Sequence, residues 1–138
     1  MVVTLSKLEE LRDLLDASHN NNSEQLKNAI FKLENARATR QGILDRRLTE
    51  LSSRDGSASN FQAQALWVNS VEIEIKKIDK TIEDLQIELE KSRNLAQKSF
   101  TRLQGIQKTC VSMTLEMQKL NQKSEDQALE ALGKPNIS

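Results

Sequence analysis

Sixteen positions in the second half of this chain form one unbroken seam: Val68, Val71, Ile75, Ile78, Ile82, Leu85, Leu89, Ser92, Ala96, Ser99, Leu103, Ile106, Cys110, Met113, Met117 and Leu120. Successive members lie three or four residues apart, and no step is missed. A spacing that averages about 3.5 residues keeps one stripe of an α-helix against a partner helix, the a/d pattern of a coiled coil. Helices of compact domains drift toward about 3.6 and seldom hold this register for so long. The expected fold class is therefore all-α, built around a rod.

Composition agrees with a buried stripe and not with a buried centre. The 138 residues include one Trp, three Phe, no Tyr, four Gly and one Pro, while 29% are charged. Disorder is the competing reading of such polarity, but a disordered chain has no reason to hold a register. Formal net charge is zero, which removes the electrostatic case for nucleic-acid binding. No apolar run approaches the roughly 20 residues that span a bilayer, and the N-terminus has no apolar signal core. A single cysteine cannot form an internal disulfide, and a cytoplasmic location is expected.

The first half is more broken. Leu5, Leu8, Leu11 and Leu15 describe a short amphipathic helix opened by Thr4 or Ser6. The polar run from Ala17 to Ser23 is poor in helix formers. Then Leu26, Ile30, Leu33, Arg37, Arg40, Leu44, Leu48 and Leu51 resume the pattern, with Asn22 or Ser23 available as a cap. A continuous but weakened helix over about 4–52 is favoured, with a true break as the alternative. Ser52 to Asn60 is the one strong internal turn signal, because Asp55-Gly56 tolerates positive φ. Helix 2 then covers about 60–131, and 133–138, containing Gly133 and Pro135, is expected to be a disordered tail.

A short connection makes antiparallel neighbours. Folding about Gly56 pairs residues whose numbers add to roughly 112, so Ser92, Ala96 and Ser99 fall opposite about 20, 16 and 13, near the polar run. The same register sets Arg37 near Glu74 and Arg40 near Glu72. The basic cluster of Arg37, Arg40, Arg46 and Arg47 otherwise reads as a solvated face. Helix 1 ends before helix 2 does. Val111, Met113, Leu115, Met117 and Leu120, with Ala128, Leu129 and Leu132 beyond them, then have no internal partner. Such an apolar overhang is expected to bind a protein partner, and its methionines suit irregular surfaces.

Catalytic or metal-binding chemistry needs convergent groups in a concave site, and none is legible. His19 stands in a polar stretch without a neighbouring cysteine and reads as a surface or cap residue. Cys110 lies on the seam and reads as a buried, small hydrophobe. Asp79, Glu83, Asp84, Glu88 and Glu90 alternate with Lys76, Lys77 and Lys80, as in a solvated face of i,i+4 pairs. No phosphate-binding glycine loop is present. The expectation is a protein without catalytic activity, cofactor or metal.

The run Gly56-Ser57-Ala58-Ser59-Asn60 resembles the Gly-x-Ala-Ser-Asn turn of the FliJ family of flagellar type III export, related to the YscO-like proteins of injectisomes. The likeness continues through Phe61, Trp67 and Asn69 into the Ile/Leu-Glu-Lys stretch 71–89, and covers about residues 5–120. It implies a long antiparallel coiled-coil hairpin that acts as a stalk in the ring of the export ATPase, contacts the membrane-embedded export gate and escorts substrate chaperones. The resemblance assigns the overhang to the ATPase. Gate contacts would fall on Gln41, Leu44 and Leu48 of helix 1 and on Val71, Ile75 and Ile78 of helix 2. The Asp55-Gly56 turn and the coincident weak zones lead to the expectation of a monomer when free, one that is peripheral to the membrane only through partners. The alternative from another class is a parallel homodimer that serves as a tether or scaffold.

Overall fold

The computed structural model describes residues 3–53 and 58–133, which form two α-helices, α1 (Leu5–Ser53) and α2 (Ala58–Gly133). They pack as an antiparallel hairpin in which α2 is the longer helix. The proposed Asp55-Gly56 turn and the tail beyond Gly133 lie outside the described residues. α1 opens on Thr4, whose hydroxyl accepts the Lys7 amide at 3.3 Å while its carbonyl accepts the Leu8 amide at 3.1 Å. That geometry is a helix N-cap.

α1 runs unbroken through the polar stretch 17–23. Asn and Ser cost about 0.5 kcal/mol each in a helix interior. Here His19, Asn22 and Ser23 are half-buried rather than solvated, so packing against α2 offsets their low propensity.

Contacts divide the described residues into two units: unit 1 joins residues 3–20 with 97–133, and unit 2 joins 21–53 with 58–96. In unit 1 the least exposed positions of α1 are Leu5, Leu8, Arg12, Leu15 and His19, and those of α2 include Ser99, Leu103, Ile106, Cys110 and Met113. The fixed point is a 2.8 Å hydrogen bond between His19 Nδ1 and Ser99 Oγ. From that layer (19 with 99, adding to 118), Leu15 meets Leu103, Arg12 meets Ile106, Leu8 meets Cys110 and Leu5 meets Met113 at the same sum. His19 is thus a seam residue and not a surface or cap residue. Its ring also approaches Phe100, with centroids 5.6 Å apart.

Within unit 2 the facing positions add to the same 118. Its α1 positions Asn22, Leu26, Ala29, Leu33, Ala36, Arg40, Ile43, Arg47 and Glu50 alternate by three and four and are buried or half-buried. Facing them are Ala96, Ser92, Leu89, Leu85, Ile82, Ile78, Ile75, Val71 and Val68. Large residues meet small ones: Ala29 lies across from Leu89 and Ala36 from Ile82. Ala29, Leu33, Ala36, Val71, Ile75 and Ala96 are the buried apolar core of this unit.

Of the α2 seam expected from Val68 to Leu120, with about 68–110 facing α1, the part from Val68 to Met113 is the packed face, and Cys110 is buried in it. The α1 stripe differs from expectation: Leu11, Ile30, Arg37 and Leu48 face solvent. From Leu26, a step of three reaches Ala29 and a step of four reaches Ile30. Hydrophobicity favours Ile30, yet Ala29 is the residue buried, at 2% exposure, and Ile30 is left 39% exposed.

The pairing sum also differs, 118 in place of roughly 112. Arg37 does not meet Glu74, nor Arg40 Glu72. Instead Arg40 pairs with Asp79 at 2.6 Å, Arg46 with Glu74 at 3.1 Å, Arg47 with Glu72 at 2.6 Å and Lys32 with Glu88 at 3.5 Å. Three of the four clustered arginines are thus tied to α2. The discrepancy has a simple cause, because sliding a heptad seam by about seven residues brings the same stripes together again. α2 begins ahead of the packed region: Phe61 to Leu66 are largely exposed, and burial starts at Trp67 and Val68.

Candidate protein-binding surface

In unit 1 the last packed layer of α2 contains Met113. From Leu115 to Gly133 the helix continues for 19 residues, about 28 Å at 1.5 Å per residue, and every one of them is exposed. Leu115, Met117, Leu120, Leu129 and Leu132 all show large apolar side chains to solvent, Leu132 at 84%. Nothing on α1 reaches them, since Leu5 already stands across from Met113. The paired stretch ends a few residues later than the roughly 111 expected, as the register shift requires.

The five overhang residues do not form one patch. At about 100° per residue, Met113, Met117 and Leu120 continue the seam, whereas Val111 and Leu115 lie on the opposite side, with Leu129 in line below them. Met113 is half-buried within its layer, so Met117 and Leu120 carry the free seam. Val111 and Leu115 edge a shallow depression shared with Gln104, Gln107, Lys108 and Ser112.

The six residues assigned to a gate contact divide more sharply. Gln41 is exposed and donates to Asp45 at 2.9 Å, and Leu48 is 66% exposed. Leu44 and Ile78 are half-buried. Val71 (3% exposed) and Ile75 (7%) sit between the helices and offer a partner no surface.

Periodicity along the seam passes over two residues that the structure singles out. Ile73 and Ile87 are about half exposed on the face of α2 turned away from α1. The signal that finds them is a second column at seven-residue spacing: Leu66, Ile73, Lys80 and Ile87.

The helices carry no concentrated chemistry. Among the described residues no three His, Cys, Asp or Glu side chains gather as a metal site, and no helix is long and apolar enough to cross a membrane. What the geometry offers is surface. No protein-family model matches this sequence, and no curated protein or solved structure is similar to it.

Proposed function

We propose that this chain is a non-enzymatic, cytoplasmic component of a flagellar or related type III export apparatus, of the FliJ type, which docks the export ATPase ring through the free end of α2. The observation that carries the reading is the end of α2 over residues 115–133, which has no α1 residue across from it and exposes Leu115, Met117, Leu120, Leu129 and Leu132, because exposed apolar side chains on a helix without an internal partner suit a protein-binding surface. Escort of chaperones and contact with the export gate belong to the same reading, the latter confined to the exposed Gln41 and Leu48. A parallel homodimer suits the packing less well, since α1 already occupies the α2 seam from Val68 to Met113.

The test is binding of the full chain to a purified hexameric export ATPase, followed by surface plasmon resonance. Leu115→Ser, Met117→Ser and Leu120→Ser together should weaken binding by at least about tenfold, the scale of losing one or two exposed anchors, with helicity retained by circular dichroism. Unchanged affinity in that variant would overturn the assignment.

A further inference from the structure

The coiled-coil register sorts the charges of unit 1 onto two sides of the hairpin. With the packed layers as a and d positions (Leu5, Leu8, Arg12, Leu15 and His19 on α1), the g and c positions of both helices lie on one side of the seam and the e and b positions on the other. The g and c side carries Lys7, Leu11 and Leu14 of α1 and Lys98 and Arg102 of α2, with only Thr, Ser and Gly beside them over residues 3–20 and 97–113. No carboxylate stands there. Over the same residues the e and b side holds Glu9, Asp13 and Asp16 and no cation. The outermost positions add Glu10 on α1 and Lys108 on α2, one of each sign, and Glu116 follows on the g side only in the overhang.

A chain with zero net charge thus presents a face of one sign. Lys7, Lys98 and Arg102 make no ion pair among the described residues. Arg12, the cation at the seam, is taken by Asp13 of the acidic side at 3.2 Å. The acids lie across a hairpin whose helices are each about 10 Å thick, against a screening length of about 8 Å at physiological salt, so they leave the basic face in place. Its centre is apolar: Leu11 and Leu14 are 44% and 69% exposed. At the sum of 118 they stand level with residues 107 and 104, and Lys7 with 111. The cations therefore bracket the leucines, Lys7 at one end and Arg102 and Lys98 at the other, over about 20 Å along the axis. Gly105 lies between them with open space where a side chain would be, which lets a partner approach closely.

We infer that this face of unit 1 docks an acidic amphipathic helix from another protein, packed on Leu11 and Leu14 with carboxylates at both ends that pair with Lys7, Lys98 and Arg102. Charge complementarity selects an acidic partner, and an apolar centre between two basic ends matches one helix of about four turns lying along the hairpin. A nucleic acid would leave the leucines unused, and Phe100, which could stack on a base, lies on the acidic side. A membrane would need a broader apolar face than two leucines. The site is separate from the α2 overhang, so neither assignment depends on the other.

The probe is a fluorescein-labelled peptide of about 21 residues, three heptads, with leucine at a and d and glutamate at the flanking positions. The same peptide with lysine for glutamate, a scrambled peptide, vesicles of phosphatidylcholine with phosphatidylglycerol, and a single-stranded oligonucleotide serve as comparisons. Fluorescence polarisation with the full chain should show binding of the acidic peptide at about 100 µM or tighter, weakening as salt rises from about 50 to about 300 mM. Leu11→Gln with Leu14→Gln should cost about tenfold, and Lys98→Gln with Arg102→Gln several-fold. All four positions are exposed, circular dichroism checks that helicity is kept, and Leu14→Gln alone is a milder version of the same test. Asp13→Asn with Asp16→Asn, on the other side, should bind the peptide no more weakly, and the Leu115→Ser, Met117→Ser, Leu120→Ser variant should bind it normally. Loss of binding in that overhang variant would move the site and overturn the inference. So would equal binding of the lysine or scrambled peptide, full binding by either double variant at the basic face, or binding to vesicles or oligonucleotide in place of the acidic peptide.

Discussion

Replacing Leu8 by cysteine should create a disulfide with the native Cys110. The register of unit 1 places residues 8 and 110 in one layer, three layers from the His19–Ser99 hydrogen bond. The loop closed runs from residue 8 to residue 110, 103 residues (110 − 8 + 1). Chain-entropy arithmetic for such a loop gives about 4.7 kcal/mol of stabilisation. Against this stands the packing lost when a half-buried leucine becomes cysteine, about 1 kcal/mol. The net gain of about 3–4 kcal/mol corresponds to a rise in Tm of about 10 °C for a chain of this size. The assay is oxidation in dilute solution, with free-thiol titration and a non-reducing gel, then thermal melting by circular dichroism with and without reductant. Val3→Cys is the comparison, because it represents the register that adds to roughly 112. It stands more than about 7 Å along the helix direction from residue 8, beyond the reach of a disulfide from the same Cys110. Val3→Cys closing as readily as Leu8→Cys, or Leu8→Cys remaining reduced, would refute the register.

Leu33→Ala should cost about 2–4 kcal/mol, since Leu33 is 4% exposed and its truncation leaves a cavity against α2. Leu48→Ala should cost below about 0.5 kcal/mol although both leucines belong to the stripe expected from sequence; urea titration of the pair separates the two seams. Ser99→Ala removes a buried hydroxyl and its bond to His19, a loss of about 1 kcal/mol in the same titration. Thr4→Ala should destabilise the first turn of α1 by about 1 kcal/mol, seen as faster amide exchange at Lys7 and Leu8 with little change farther along the helix.

How much of this was legible in the sequence depended on where bulk and hydrophobicity coincide. On α2 they coincide at the packed positions from Val68 to Met113 apart from Ser92, Ala96 and Ser99, which keep the same spacing, so counting threes and fours finds the face. On α1 the packed residues include Ala29, Ala36, His19, Asn22 and three arginines (Arg12, Arg40 and Arg47), while larger apolar neighbours such as Ile30 and Leu48 point outward. Such a stripe is visible only when its partner is known, because the space for each residue is set by the side chain across from it. The register was hidden for a different reason. Apolar seams match themselves after each heptad, so only polar layers distinguish one alignment from the next. His19 with Ser99, and Arg40 with Asp79, perform that selection here. His19 looked like a surface residue because its neighbours in sequence are polar, although its neighbours in space are Ser99 and Phe100.

The same dependence on pairing governs the candidate surfaces. The overhang follows from helix lengths alone: α2 outlasts α1 under either register, and moving the sum from roughly 112 to 118 only shifts where exposure begins. Lysines and carboxylates alternate along residues 72–91, and a single helix would neutralise them locally at i,i+4 for about 0.2–0.5 kcal/mol per pair. Hairpin formation redirects that balance. The cations of α1 at Lys32, Arg40, Arg46 and Arg47 engage α2 carboxylates that flank the packed face, and the half-exposed ion pairs they form are worth below about 1 kcal/mol each. Such pairs are too weak to decide the fold, but they help to select one register. Arg40→Ala, Arg46→Ala and Arg47→Ala together should therefore cost no more than about 3 kcal/mol in urea titration, and a larger loss would show that the ion pairs, and not the apolar seam, hold the hairpin.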